Sequence, residues 1–111
     1  MPEYVPEQGD FVALSFDPQP GREQRGRRPA LVISKGPFNR RTGLCIVCPV
    51  TNALREHPLH AAIPELSGVS GVVMVEQVKS LDLRARGVKR IARAPAPVLD
   101  EVLALLDACI Y

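Results

Sequence analysis

Apolar residues fall along the chain in short runs separated by turn-forming residues, until a different pattern takes over near the end. Asp10–Phe16 is rich in β-forming side chains and partly alternates, which predicts a strand. Gly9 and Asp10 turn the chain into it. Two prolines and a glycine within Asp17–Gly21 end it, because proline lacks a ladder donor and glycine suits a turn. Ala30–Ser34 is a continuous apolar run of the kind found in buried strands. Lys35–Gly43 reads as a polar connection with Gly36-Pro37 and Asn39. Leu44–Val50 predicts a third strand that ends near Pro49. Leu59–Ile63, flanked by Pro58 and Pro64, predicts a short fourth, and Ser67–Gly71 a turn. Val72–Val75 begins a fifth strand and Val88–Ala92 gives a sixth. Short, regularly punctuated strands are the pattern of a small β-barrel.

The C-terminus has another period. Leu99, Val102, Leu103, Leu106, Cys109 and Ile110 recur at helical spacing and form one apolar stripe. Pro97 suits the first helical position, and Asp100 and Glu101 oppose the dipole in the first turn. Pro97–Ile110 is therefore a helix that covers the barrel. The whole is mainly β with a C-terminal α-helix, and 111 residues are expected to form one domain spanning 1–111.

Between the first two strands lies Gly21–Pro29, with four arginines, one carboxylate, two glycines and a closing proline. The commonest hairpin loops need two residues. Counted from Asp17 this connection is far longer, and such loops in compact domains are usually functional or disordered. Crowded guanidiniums repel one another, so an anionic partner best explains them.

Composition sharpens this reading. At 46% hydrophobic and 23% charged, the chain is globular rather than disordered. Nothing resembles a secretory or membrane-spanning segment, and an odd set of three cysteines points to a reduced, cytoplasmic protein. The net charge of +2 conceals two basic blocks. Residues 20–45 carry seven basic residues against Glu23, and residues 79–93 carry six against Asp82. Of the fourteen basic residues eleven are arginine, the side chain suited to bidentate phosphate contact and base stacking. If the fold joins the blocks, they make one basic face.

The strongest chemical constellation is Glu23, Gln24, Arg27 and Arg28 with the polar pair Thr51-Asn52. If the second and third strands are antiparallel neighbours, Arg28 and Thr51 come side by side at one rim. A fixed cation stabilises charge growing on a phosphate's oxygens. A hydroxyl adds a hydrogen bond or helps pass a proton to the leaving oxygen. From composition alone, binding is favoured over catalysis. A rival pattern, Cys45-x2-Cys48 with His57-x2-His60, superficially suggests zinc. Residues three apart on a strand point to opposite faces, however, so the two thiols read as core and no metal is expected.

Several ordered motifs together resemble the MazF/PemK toxin endoribonucleases of type II toxin–antitoxin systems. Tyr4-Val-Pro, Gly9-Asp10, Phe16-Asp17-Pro18 and Gly21–Ser34 resemble the family's N-terminal half. Cys48-Pro-Val-Thr51 resembles its strand end with a catalytic threonine. Gln77-Val-Lys-Ser80 and Arg84-Ala-Arg-Gly87 resemble its second block, and the terminal helix also fits. The resemblance implies a small SH3-like β-barrel of the MazF/PemK/CcdB type and a homodimer. It implies sequence-specific, metal-independent cleavage of single-stranded RNA with no cofactor. It also implies a MazE-like antitoxin whose acidic, disordered tail covers the RNA site.

By position, Arg28 matches the family's arginine of the Arg-Pro motif and Thr51 its Thr/Ser, the proposed catalytic pair. Glu23 matches an acidic residue of the same loop, and Arg27 departs from relatives with histidine there. The implied reaction is attack of the ribose 2′-hydroxyl on the adjacent phosphate, giving a 2′,3′-cyclic phosphate and a 5′-hydroxyl. A guanidinium is a poor base, so Arg28 reads mainly as a transition-state clamp and Glu23 is the carboxylate to test as base. Phe16, Gln24, Arg27, Gln77, Arg84 and Arg86 are candidate RNA contacts by stacking, base edges or phosphate pairing; for Phe16, plain core is an equal reading. The alternatives are a non-catalytic toxin on the same barrel and a simple RNA-binding module.

Overall fold

The computed structural model describes residues 4–15, 27–53, 57–65 and 67–111. Its strands are β1 (Asp10–Ser15), β2 (Arg27–Val32), β3 (Leu44–Thr51), β4 (His60–Ala62), β5 (Val72–Met74), β6 (Lys79–Asp82) and β7 (Lys89–Arg93). Its helices are α1 (Gly36–Thr42), α2 (Leu83–Arg86) and α3 (Ala96–Ile110), with a 3-10 turn at Val75–Gln77. The strands run antiparallel in the order β4-β5-β3-β2-β1-β7, and β6 pairs with β3 beside β5. Among the described strands this path does not close on itself. The mainly β class with a C-terminal helix is as the sequence pattern predicts.

Strand alternation divides the apolar residues between two faces. Phe11, Leu31, Cys48 and Val50 share one cluster with Ala61 and Val73. Val12, Leu14, Ala30, Val32, Cys45 and Val47 share the other with Leu81. Because β1, β2 and β3 are buried on both sides, they read as continuous apolar runs rather than clean alternations. Helix α3 covers the first face through Val98 and Val102. The predicted stripe is thus present but centred nearer the N-terminus, and Cys109 and Ile110 are exposed.

Lys35–Gly43, read as a polar connection, instead folds as α1. Its only large apolar side chain, Phe38, is exposed, so hydrophobic periodicity gives no helix signal. The helix is set by its ends and by one inward polar residue. Pro37 occupies the first turn, and Gly43, with φ 72°, closes the last by donating its N–H to the Asn39 carbonyl. Asn39 is fully buried. Its Nδ2 donates to the carbonyls of Pro6 at 2.8 Å and Ser34 at 3.2 Å, and its Oδ1 accepts from the Ser34 hydroxyl. The Ser34 hydroxyl oxygen in turn accepts from the Ile46 N–H at 2.9 Å. One amide therefore joins the N-terminal segment, α1, β2 and β3.

Strand β2 begins at Arg27, earlier than the apolar run predicts, because main-chain pairing with β1 continues past the buried residues: Ser15 faces Arg27 and Leu14 faces Arg28. The basic stretch from residue 79 onward divides into β6, α2 and β7. Asp82 caps α2 by accepting from the Arg84 N–H at 2.9 Å, and Gly87, with φ 59°, ends it.

Two polar residues are expected to govern stability. Asn39→Ala removes a buried hub and strands the carbonyls it served, so urea unfolding should show a loss of roughly 2–3 kcal/mol; an unchanged midpoint would contradict this role. Asp10 is almost fully buried. Burial pushes its carboxyl up, but the Tyr4 hydroxyl, the Glu7 N–H and Arg90 together outweigh that and hold it below the ordinary value. The folded state therefore keeps the carboxylate ionised after the unfolded chain has begun to take up protons. Its contribution is complete above the unfolded value of about 3.9 and is lost as pH falls through the lower folded value. Asp10→Asn should lower the unfolding midpoint near neutrality, and the gap to the parent should narrow at acid pH.

Candidate functional site

The register of β2 on β3 builds the site. Facing pairs run Val32↔Val47, Leu31↔Cys48 and Ala30↔Pro49. The described pairing stops at Ala30↔Pro49; carried two residues further, the same register would set Arg28 opposite Thr51, which itself pairs with Val72 of β5. Alternation puts both on one face, that of Ala30 and Val47. The antiparallel neighbourhood of β2 and β3 on which the expected rim depends is thus present, and Arg28 and Thr51 each lie two residues beyond its last pair. Arg28 is exposed and Thr51 half-buried at the end of its strand. Thr51 Oγ1 accepts from the Ala53 N–H at 3.1 Å, which turns the chain out of β3 and leaves the hydroxyl's own proton to donate.

Beside this rim lies an open cleft of about 220 Å³ lined in part by Arg27, Arg28, Pro29, Asn52, Ser70 and Ile91. Asn52 accepts at Oδ1 from the Ser70 hydroxyl at 3.0 Å, so the segment after β3 is tied to the turn before β5. Gly71 allows that approach. Its φ is 114°, and a Cβ there would come within 2.2 Å of the Thr51 carbonyl oxygen. The sequence marks Gly71 only as part of a turn; that it is a spacer against Thr51 depends on the β3–β5 pairing of Thr51 with Val72.

Arg27 reaches across β1. It donates to the Gly87 carbonyl at 2.7 Å and to the Ala13 carbonyl at 3.4 Å. Its charge thus lies at the cleft with its guanidinium anchored on main chain, and it ties the first basic block to the second. The blocks meet again where Arg84 shares a groove of about 620 Å³ with Tyr4, Asn39, Arg40 and Val88. Arg84 therefore belongs to a separate groove. Gln77 is exposed on the 3-10 turn and does not line the cleft. Phe16, Glu23 and Gln24, with the side chain of Arg86, lie outside the described residues.

The cysteines settle one competing pattern. Cys45 and Cys48 sit in the two opposite core clusters and cannot share an ion. Burial pushes the Cys45 thiol up to about 11 and the Cys48 thiol up to about 12, so both stay protonated and unreactive near neutrality. The two histidines of that pattern do come together, with Glu76. His60 Nε2 lies 3.0 Å from Glu76 Oε2, and the His57 and His60 rings stack at 4.5 Å. Burial acts to raise the Glu76 carboxyl, but the hydrogen bond from His60, a backbone N–H and the two neighbouring imidazoles together outweigh it, and the group lies below its ordinary value.

Gly71→Ala should force the Thr51 carbonyl aside. The expected cost is about 1–3 kcal/mol in thermal or urea unfolding, with a displaced Thr51 amide resonance. Full stability with an unmoved Thr51 signal would contradict the spacer role.

Known proteins share both this chain's sequence and its fold. The model of the family described as PemK-like, MazF-like toxin of type II toxin–antitoxin systems matches residues 7–110. The endoribonuclease toxin MazF of Escherichia coli K12 is 40% identical over 107 residues, covering 95% of this chain and 90% of that protein. The endoribonuclease toxin ChpB of the same strain is 44% identical over 112 residues, covering 94% and 93%. A crystal structure of MazE–MazF from Deinococcus radiodurans superposes with a TM-score of 0.87 at 42% identity, covering 97% of each chain.

Proposed function

The chain belongs to the family of PemK-like, MazF-like toxins of type II toxin–antitoxin systems, and on that footing we propose that it is an endoribonuclease which cuts single-stranded messenger RNA at a short sequence and so stops translation. Relatives named endoribonucleases, at 40–44% identity over nearly the whole chain, support the activity. The observation that supports the site is the β2–β3 register, which carried two residues further would face Arg28 with Thr51, beside a cleft lined by Arg27 and Arg28.

In the proposed reaction the scissile phosphate lies between Arg28 and Thr51. The ribose 2′-oxygen attacks phosphorus and gives up its proton. The bond to the 5′-oxygen breaks, and that oxygen takes a proton as it leaves. The products are a 2′,3′-cyclic phosphate and a 5′-hydroxyl, and no metal ion takes part. Arg28 meets the negative charge that grows on the non-bridging oxygens. The Thr51 hydroxyl donates to the phosphate or to the leaving oxygen. Glu23 is proposed as the base. Arg27, and with it Gln24, Phe16, Gln77, Arg84 and Arg86, is proposed to hold the flanking nucleotides. The anchoring of Arg27 on the Gly87 and Ala13 carbonyls gives that cation a fixed position for a phosphate.

Residues 1–111 are read as one toxin domain acting as a homodimer in the cytoplasm; among the described residues no helix is long and apolar enough to cross a membrane. A MazE-like antitoxin is the proposed inhibitor. The relative solved as MazE–MazF supports this, and the arginine-rich face suits an acidic tail.

The purified protein should cut RNA in excess EDTA and leave cyclic phosphate ends. Arg28→Ala and Thr51→Ala should each lower the rate by about 10²–10³ with unfolding unchanged. Cleavage that requires added metal, or both variants at full rate, would reject the mechanism.

A further inference from the structure

One side-chain cluster outside the cleft is left unused by that chemistry. His57 precedes β4, His60 opens it, and Glu76 lies on the 3-10 turn after β5. The backbone holds these segments together. The His60 N–H donates to the His57 carbonyl, the Val75 N–H donates to the Leu59 carbonyl at 3.1 Å, and His60 faces Met74 in the β4–β5 ladder. One ligand-type atom from each of the three residues lies within 4.8 Å of the other two.

We propose that His57, His60 and Glu76 form a binding site for a divalent transition-metal ion of the zinc class. The donor set is two imidazoles and one carboxylate, which suits zinc and leaves a fourth position for water. His57 Nδ1 accepts from the Leu59 N–H at 3.1 Å, so the neutral ring carries its proton on Nε2, and ligation through Nε2 would move that proton to Nδ1 at the expense of the Leu59 bond. His60 Nε2 already faces Glu76 Oε2 at 3.0 Å, and a metal ion would replace the proton they share. His60 Nδ1 is buried and, among the described residues, has no hydrogen-bond partner. Moving the ring proton there would exchange the bond to Glu76 for the metal ion and leave a buried N–H on Nδ1. Tetrahedral bonds of about 2.0–2.1 Å place ligand atoms some 3.4 Å apart. The His57 ring must therefore swing out of its stack on His60 for both lone pairs to converge on one ion, a movement open to the exposed His57 side chain.

The ion would staple the turn before β4 to the turn after β5. His57 stands six residues beyond Thr51 and Glu76 adjoins Gln77, so the staple would restrain both flanks of the chain that carry proposed RNA contacts. None of the three residues lines the Arg28 cleft. The site is thus structural or regulatory and separate from cleavage.

Calorimetric titration of the full chain with zinc chloride should show saturable binding of one ion per chain and a raised unfolding temperature. Cobalt(II) should give the visible absorption of a four-coordinate site. His57→Ala and Glu76→Gln, both at exposed positions, should each weaken binding at least about tenfold. Cys109→Ser, which removes the exposed thiol, should leave binding unchanged. RNA cleavage in EDTA should be the same for His57→Ala and the parent, so failure of this site is separable from failure of the proposed activity. Absence of saturable binding, binding that survives both His57→Ala and Glu76→Gln, or binding lost in Cys109→Ser would overturn the proposal.

Discussion

The molecule depends on the register of β2 against β3. That register decides which apolar residues share a face, and a slip of one position would send every side chain of β2 to the wrong side of the sheet. Two buried faces make such a slip costly in both directions: Leu31 and Cys48 belong to one cluster, Ala30, Val32 and Val47 to the other. The proposed site rests on the same register, which carried two residues beyond its last pair would bring Arg28 opposite Thr51. At the opposite end of the ladder the Ser34 hydroxyl takes the Ile46 N–H, and Asn39 holds Ser34, so a polar lock reinforces what the apolar pattern specifies.

Charge is organised by the same strands. Strand β1 lies between β2 and β7, which brings basic residues from the two halves of the sequence onto neighbouring strands. Arg27 crosses β1 to reach Gly87, and on β7 Arg90 and Arg93 approach the Asp10 carboxylate at 3.5 and 3.4 Å. Those two pairs are exposed on the arginine side, so their individual contribution is small. Their effect is to place positive charge around a fixed anion while other arginines face solvent. A surface of this kind attracts polyanions from a distance and is weakened by salt.

The candidate chemistry sits where the ladder stops. Past Ala30 and Pro49 the two strands carry no further paired main chain, and the space between them opens into the cleft. The end of a rigid element joins precision to access: the scaffold sets Arg28 and Thr51, and the adjoining turns supply Asn52 and Ser70. Gly71 lets those turns approach as closely as they do.

The sequence by itself determined the strands with strong apolar runs, the C-terminal helix, the two basic blocks and the core character of Cys45 and Cys48. Each of these is a local or periodic property, and burial on one or two faces leaves its mark on composition. Motif resemblance named Arg28 and Thr51 as the proposed catalytic pair, and the strand pattern made their side-by-side placement conditional on neighbouring strands. Only the tertiary structure decided the rest. Helix α1 leaves no periodic signal in the sequence because it is held by a buried amide and a glycine cap rather than by an apolar stripe. Strand β2 starts at Arg27 because its pairing with β1 outlasts the hydrophobic run. Arg84 and Gln77 prove to lie away from the cleft because chain order says nothing about which edge of β3 a segment joins. His57, His60 and Glu76 come together through the pairing of β4 with β5. Residues distant in sequence are brought into one site by strand order and register, and those are set by the sum of all the packing, not by any one motif.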